Sequence, residues 1–579
     1  VKKHNVAATV ITLMAVLLST SVAQSADTRP NILILIADDM GFSDVGAFGS
    51  EIETPSIDML AEQGMLFTNF HVGASCSPTR TMLISGVDNH LAGLGNMLEI
   101  QADNQFGKPG YEGYLNDKVV ALPRLLRDAG YHTYMTGKWH LGYDPERIPF
   151  QRGFEKSFML GESGADNWVD QSYAPFYSEV HYYEDDKRVT LPTEDYFSSD
   201  FYTDRMIEYI DSNLEDGKPF LGWLGYQAVH YPHQAPKSYI DKYNGVYDNG
   251  FEALRAQRLE RQKELGIVSK DVSLDMEFAK TSFEPWRIPD WDKLSDEEKA
   301  FNARRMQTYA GMLDNMDVNI GKILKYLDDK GIADNTIVIF MADNGPDPNQ
   351  LPMNDAYREW YTKNYEKTFI EDFEGDFSDL GQKGVYSDYG PGWAAAAAVP
   401  GSYYKTFSTE GGLRVPLIIR YPGVVKAGSQ IDKLAFVRDI LPTLLEVAGV
   451  DKPGPVYDGR KVYQPDGISM VPVLTGEKET VRDEANPFGY ELAGSSAVFQ
   501  GKYKLMQNPP PKGNGDWELY NIEADPSELN NLADDMPKRV AEMIAFFEAY
   551  SERVNLVPVP EGYNPLEQTV INAKRKAAH

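Results

Sequence analysis

The chain has a single cysteine, Cys76, among 579 residues. It therefore closes no internal disulfide, builds no cysteine-rich zinc site and ligates no iron–sulfur cluster. Basic charge is also scarce: 56 Lys plus Arg stand against 86 Asp plus Glu, a formal net charge of −30. No run of Lys and Arg reaches the scale of a binding stripe, and Lys574-Arg575-Lys576 reads as a solvated tail. Nucleic acid and anionic membrane are thereby disfavoured as partners, because a phosphate polyanion needs a basic footprint. Beyond the first residues no apolar run is long enough to span a membrane. What is present is ordinary, with 42% hydrophobic and 25% charged residues. Such a chain is soluble and globular, large enough for one big core and a second, smaller one.

The start has the order of a secretory signal: Lys2-Lys3, an apolar stretch from Val6 to Leu18, then Ser19, Ser21, Ala23, Ser25 and Ala26. Residues 1–26 are expected to be a signal peptide cleaved near Ala23 to Ala26, leaving a periplasmic or secreted protein without a membrane anchor. A soluble exported protein that keeps one cysteine either buries it as an inert residue or keeps it for chemistry.

Asn31-Ile32-Leu33-Ile34-Leu35-Ile36 ends in Ala37-Asp38-Asp39-Met40-Gly41, and Thr336-Ile337-Val338-Ile339-Phe340-Met341 ends in Ala342-Asp343-Asn344-Gly345. Continuous apolar runs of this length are expected of strands buried on both faces. Phe220 to Leu224 and Val415 to Ile419 are similar, and helical patterns such as Leu122 to Ala129 and Gln307 to Leu327 lie between, each closed by a glycine. This alternation indicates an α/β domain with a mostly parallel sheet. Residues from about Tyr239 to Phe301 are rich in Glu, Lys, Arg and Gln and are expected to be exposed helices. The long Asn344 to Tyr404 connection, with five consecutive alanines from Ala394 to Ala398, is expected to be functional or mobile. After the helix closing at Gly449, short strands with Gly and Pro turns indicate a smaller C-terminal domain from about Asp451.

Asp38-Asp39 and Asp343-Asn344 occupy equivalent places, just beyond the carboxyl ends of two buried strands, where open α/β sheets bind ligands. Either pair alone would be a loop or helix cap. Three carboxylates and an amide oxygen converging there would repel one another without a hard cation, and oxygen ligation favours calcium or magnesium over zinc. Cys76-Ser77-Pro78-Thr79-Arg80 leads to Ile84-Ser85-Gly86, a short helix with Cys76 at or just before its N-terminus. Free amides there, and Arg80 one turn on, would stabilise an ionised nucleophile.

Cys76-x-Pro78-x-Arg80 with Ile84-Ser85-Gly86 resembles the signature of type I sulfatases, members of the alkaline phosphatase-like superfamily, although the usual ending is Leu-Thr-Gly. Gly137-Lys138-Trp139-His140-Leu141-Gly142 resembles their second signature. The likeness continues through Asp343-Asn344-Gly345 and Glu518-Leu519-Tyr520-Asn521 to Asn531-Leu532, covering nearly the whole mature chain. Gly93 to Met97 and Gly110 to Gly113 look most like bacterial arylsulfatases of the Pseudomonas type. The resemblance implies a large domain (27–450) with a mixed, mostly parallel sheet flanked by helices, and a smaller α+β domain (451–579) with an antiparallel sheet.

The resemblance also implies that a maturation enzyme converts Cys76 to formylglycine. In its hydrate, one hydroxyl attacks sulfur and displaces the alcohol or phenol, giving a sulfated enzyme. Loss of the second hydroxyl's proton then expels sulfate and restores the aldehyde. Asp38, Asp39, Asp343 and Asn344 are implied to hold calcium, magnesium being the less favoured ion, with modified Cys76 completing the shell. Asp343 takes the nucleophile's proton and Arg80 orients the hydrate. Lys138 and Lys405 bind sulfate oxygens, His140 assists sulfate elimination, and His230 is the general acid at the leaving oxygen. His233 is expected to be structural, and His71, His90, His132 and His181 structural or pocket-lining. The substrate implied is a small aryl or alkyl sulfate, handled by a monomer. Three other readings are open: a phosphate or phosphonate monoester hydrolase on the same scaffold, a non-catalytic binder of sulfated glycans, and a thiol hydrolase using Cys76 unmodified.

Overall fold

Every residue of Asn31–Ala37, β1, is buried, near the middle of a ten-stranded sheet. The computed structural model describes residues 28–274, 286–351 and 354–577, so the expected signal segment lies outside them. In chain order the further strands are β2 (Met65–Phe67), β3 (Phe70–His71), β4 (His132–Lys138), β5 (Lys156–Leu160), β6 (Tyr182–Glu184) and β7 (Lys187–Val189). They continue with β8 (Phe220–Gly225), β9 (Thr336–Ala342), β10 (Leu417–Arg420), β11 (Ser429–Ile431) and β12 (Ala435–Phe436). The large sheet has the order β11-β2-β10-β9-β1-β8-β4-β5-β6-β7, and β3 pairs with β12 apart from it.

Strands β9, β1, β8, β4 and β5 are mutually parallel. β10 runs antiparallel to β9, as β6 does to β5 at the other side, so the sheet is mixed around a parallel centre. The run from Val415 to Ile419 thus supplies a buried strand, but a reversed one. An apolar run records burial and carries no sign of strand direction.

Helices flank the sheet in two groups. Asp296–Asp329 packs against α1 (Pro55–Gln63) and Ser198–Asp211, while α2 (Cys76–Ser85) packs with Leu122–Asp128 and Ile440–Val447. The long helix begins well before Gln307, where a capping box starts it. Ser295 Oγ accepts from Glu298 N, and Glu298 Oε2 accepts from Ser295 N.

Two expectations of exposure are corrected. Within the charged stretch from Tyr239 to Phe301, of which 275–285 lie outside the described residues, Gly250–Leu265 packs against the helix Gly390–Ala397. Its Arg258 is fully buried, with Nη1 2.6 Å from Asp44 and Nε 2.8 Å from Glu51. The basic end of the chain is likewise no solvated tail. It belongs to a helix, Pro565–Ala577, whose Arg575 pairs with Asp103 at 2.7 Å and whose Lys576 donates to Tyr143 Oη at 2.7 Å. In both cases carboxylate or phenol partners from distant parts of the chain receive the charge.

Late in the chain, β13 (Val456–Tyr457) and β14 (Arg460–Lys461) form a small hairpin. β15 (Phe488–Leu492), β16 (Ser495–Gln500), β17 (Tyr503–Gln507) and β18 (Glu518–Asn521) form an antiparallel sheet in sequence order. Pro537–Val554 packs on it. Tyr490 in β15 accepts a 2.6 Å hydrogen bond from Ala74 N, just ahead of α2, which ties this sheet to the loop carrying Cys76. Among the described residues, no helix is long and apolar enough to cross a membrane.

Candidate active site

Parallel register brings the ends of four strands, β9, β1, β8 and β4, to one edge. Ala37 lies opposite Ala342, and Gly225 opposite both Ile36 and Gly137. The residues that follow, Asp38-Asp39, Asp343-Asn344 and Lys138 with its neighbours, therefore emerge together. Asp39 and His140 have φ of 57° and 56°, the left-handed region, where a non-glycine backbone is strained and turns sharply out of its strand. The alanine run backs this turn. Ser43 N donates to Ala397 O at 3.0 Å, and a Cβ on Gly41 would lie 2.3 Å from that same oxygen. Small residues on both sides permit the approach.

Cys76 is the first residue of α2, preceded by extended Ser75, and the helix closes at Gly86 with φ 65°. Its Sγ lies 3.4 Å from Asp38 Oδ1 and 3.6 Å from Asp39 Oδ1. One ligand atom from each of Asp38, Asp39, Cys76 and Asp343 falls within 4.8 Å of the others, and all four residues are buried. Asn344 joins them: its Nδ2 donates to Asp39 Oδ1 at 2.7 Å, while its Oδ1 is buried without a hydrogen-bond partner. A half-turn of the amide exchanges the two atoms and presents that oxygen to the carboxylates. Donor chemistry, burial and the orphaned oxygen fit a hard cation.

Two buried ammonium groups face the carboxylates. Lys138 Nζ is 2.5 Å from Asp38 Oδ2, and Lys405 Nζ is 2.8 Å from Asp39 Oδ2 and 3.0 Å from Asp347 Oδ2. Burial still pushes the Asp38 carboxyl up to about 8, against the pull of Lys138. At Asp39 burial also works upward, but Lys405 and Lys138 prevail and its pKa is lowered. Arg80 Nε is 2.8 Å from Asp343 Oδ2, and its Nη1 donates to Lys138 O at 2.8 Å, while Nη2 has no hydrogen-bond partner.

Arg80 is thus committed to Asp343. Burial drives the Cys76 thiol well above its ordinary value despite Lys138 and Lys405. For the unmodified thiol, desolvation outweighs the pull of these cations.

His230 Nε2 lies 3.5 Å from Asp39 Oδ2, and Nδ1 is 2.5 Å from the Tyr231 carbonyl. Burial, then Lys138 and Lys405, lower its pKa well below the ordinary value. His140 is held one step off, its Nε2 3.0 Å from Glu99 Oε1, and Tyr177 Oη donates to the same oxygen. His233 is buried and meets the stacked rings of Tyr309 and Tyr389 edge-on. His71, His90, His132 and His181 pair with Glu410, Asp88 and Glu491, Glu155 and Asp216, and Glu162, respectively.

Glu99 and Asp347 were not legible as site residues. Glu99 follows the Gly93-Leu94-Gly95-Asn96-Met97 motif by two residues, and Asp347 follows Asn344 by three, so proximity to a motif was the available signal. Beside the cluster runs an aromatic cleft whose lining includes His230, Lys405, Tyr173, Tyr177 and Tyr231. Tyr231 stacks on His230 at 4.4 Å between centroids, and Tyr173 meets it edge-on at 5.1 Å.

A buried acidic cluster at the carboxyl edge of a parallel sheet, ringed by lysine, arginine and histidine, defines a hydrolase of anionic esters. Residues 30–450 match the family described as Sulfatase, and residues 400–549 one described as N-sulphoglucosamine sulphohydrolase, C-terminal. An uncharacterised sulfatase of Schizosaccharomyces pombe is 40% identical over 93% of this chain and 96% of its own. An arylsulfatase of Klebsiella aerogenes is 35% identical, over 79% of this chain and 94% of its own. The crystal structure of Ps i-CgsB in complex with k-i-k-neocarrahexaose has the same fold, with a TM-score of 0.64, 22% identity, and coverage of 95% of this chain and 98% of that one. The chain belongs to the sulfatase family and is a sulfuric ester hydrolase.

Proposed function

We propose that the enzyme cleaves aryl or simple alkyl sulfates to phenol or alcohol and inorganic sulfate, with a formylglycine made from Cys76 as nucleophile. The observation that carries this reading is the setting of Cys76. It heads α2 with Sγ 3.4 Å from Asp38 Oδ1 and 3.6 Å from Asp39 Oδ1, clustered with Asp343, and burial raises the pKa of its thiol, which disfavours an unmodified cysteine as nucleophile. Hydrated formylglycine would attack sulfur, forming a sulfated enzyme, and release sulfate by losing the proton of its second hydroxyl. Full burial of Cys76 supports conversion by a maturation enzyme before the chain folds, in keeping with export to the periplasm or beyond.

Asp38, Asp39, Asp343 and Asn344, with residue 76, would hold calcium, which when bound neutralises sulfate charge and lowers the pKa of the attacking hydroxyl. Asp343, oriented by Arg80, takes the proton of the nucleophile. Lys138 and Lys405 bind sulfate oxygens from the positions they now hold beside Asp38 and Asp39. The Tyr231 carbonyl accepts from His230 Nδ1 and turns Nε2 toward the site, where His230 would act as general acid at the leaving oxygen once a bound anionic ester raises its pKa enough to protonate Nε2. His140, braced by Glu99, assists sulfate elimination. We assign residues 27–450 to the catalytic unit and 451–579 to the C-terminal one, a division supported by the end of the sulfatase match at 450.

The test is the turnover of an aryl sulfate against the matching aryl phosphate by the aldehyde-bearing enzyme. Faster turnover of the sulfate is expected, and much faster turnover of the phosphate contradicts the reading.

A further inference from the structure

The aromatic cleft beside His230 is completed by residues that lie beyond both family matches. Pro565, Leu566 and Thr569, on the C-terminal helix Pro565–Ala577, share its lining with His230, Tyr173 and Lys405. His230 is the residue assigned to the leaving oxygen, so whatever is attached to that oxygen must extend into this cleft.

The helix is bound to the other walls along its length. Buried Asn572 donates through Nδ2 to the carbonyls of Glu99 at 3.1 Å and Gln101 at 3.0 Å. Gln568 and Arg575 both bond Asp103, at 3.1 and 2.7 Å. Just ahead of the helix, Tyr563 Oη donates to Ile100 O at 2.5 Å. Ala573 packs on the Tyr173–Tyr177 aromatic group, and Val570 on the group formed by Tyr357, Tyr361 and Tyr386. Each turn thus meets a different wall, as a fixed partition would. The space within this partly open cleft is about 90 Å³. A cavity of about 150 Å³ holds one benzene, so the cleft has room for no more than a single small ring, part of which would lie at its open mouth.

We propose that the C-terminal helix sets leaving-group specificity: Leu566 and Thr569 admit one compact aromatic or short alkyl group and exclude a saccharide chain. The inference rests on the reading of the site as that of a sulfate esterase, and it narrows the substrate class to small monosulfates. A wall of this kind discriminates by contact and overlap, effects worth roughly tenfold to two-hundredfold per group of methylene size.

The test compares kcat/KM for phenyl sulfate and for a bulky naphthyl sulfate in the full-length, aldehyde-bearing protein. Leu566→Ala should raise the naphthyl-to-phenyl ratio about tenfold, and Leu566→Trp should lower it by a similar factor. If Leu566→Ala does not fold, Leu566→Trp and Thr569→Leu carry the test, both expected to lower the ratio. Wild-type enzyme should leave a sulfated disaccharide uncleaved while it turns over phenyl sulfate. Unchanged ratios in folded variants, or efficient cleavage of the disaccharide by wild type, overturn this inference and leave the sulfate-esterase reading standing. Aldehyde-bearing wild type that cleaves neither phenyl nor naphthyl sulfate overturns both.

Discussion

Lys405 Nζ sits 2.8 Å from Asp39 Oδ2 and 3.0 Å from Asp347 Oδ2, a buried ammonium shared between a carboxylate of the proposed cation cluster and a carboxylate outside it. A cation on Asp39 would compete for the first contact and leave the second, so under the proposed mechanism Asp347 would hold Lys405 in place for a sulfate oxygen. Lys405→Ala should lower kcat/KM about a hundredfold or more, the size expected when one member of a buried charge pair is removed. Asp347→Asn keeps the shape and weakens only the anchor. Its effect should fall mainly on KM, as steady-state kinetics on an aryl sulfate will show.

Asp38, Asp39 and Asp343 crowd one buried volume, and burial raises Asp38 to about 8 even with Lys138 beside it. A divalent cation that binds only the folded chain relieves that crowding and must stabilise the fold. At a hundredfold excess over Kd the gain is about 2.7 kcal/mol. Thermal melts in calcium, in magnesium and in chelator should therefore rank calcium highest and chelator lowest. Asp39→Asn should flatten the difference.

Arg80 and Asp343 form a fully buried pair at 2.8 Å, and the same carboxylate accepts from Asp39 N at 3.2 Å. Asp343→Asn removes the charge that Arg80 faces, a cation ligand and the assigned proton acceptor in one change. Activity should fall by about a thousandfold or more, comparable with the loss of a strong transition-state contact. Near-wild-type turnover in the aldehyde-bearing variant would contradict the assignment.

Away from the site, His90 lies between Asp88 at 3.0 Å and Glu491 of β15 at 2.8 Å. Burial works to strip its proton, but hydrogen bonds and charge from Asp88 and Glu491 prevail and raise its pKa from 6.5 to about 9. Between those values the folded protein holds a proton that the unfolded chain has lost, so stability falls as pH rises. The contribution is complete below 6.5, is lost as pH passes about 9, and is of the order of 3 kcal/mol. Urea unfolding at about pH 6 and about pH 9 should show the decline, and His90→Gln should remove most of that slope.

Much of this architecture was legible from residues alone, for identifiable reasons. β1 and β9 announce themselves as apolar runs that stop at acidic turns, and α2 is bracketed by Pro78 and Gly86. Cys76, Lys138, Asp38 and Asp343 sit in compact local patterns, and parallel register does the rest. Features that depend on distant partners were hidden. Glu99 becomes a site residue only because His140 and Tyr177 reach it from elsewhere in the chain. Gly250–Leu265 and Lys574-Arg575-Lys576 read as exposed because their charges find carboxylates or phenols far away in sequence. Strand direction at β10 leaves no mark in an apolar run. The raised pKa of the unmodified Cys76 thiol comes from burial, which the local pattern of helix terminus and Arg80 does not encode.

The central claim is that the side chain at position 76 works as an aldehyde rather than a thiol. Mass spectrometry of the peptide containing Cys76, on protein that is turning over an aryl sulfate, tests it most directly. Formylglycine at position 76, trapped by an aldehyde-reactive reagent in proportion to activity, is the predicted result. Full activity from protein whose Cys76 peptide carries only the unmodified thiol would contradict the account.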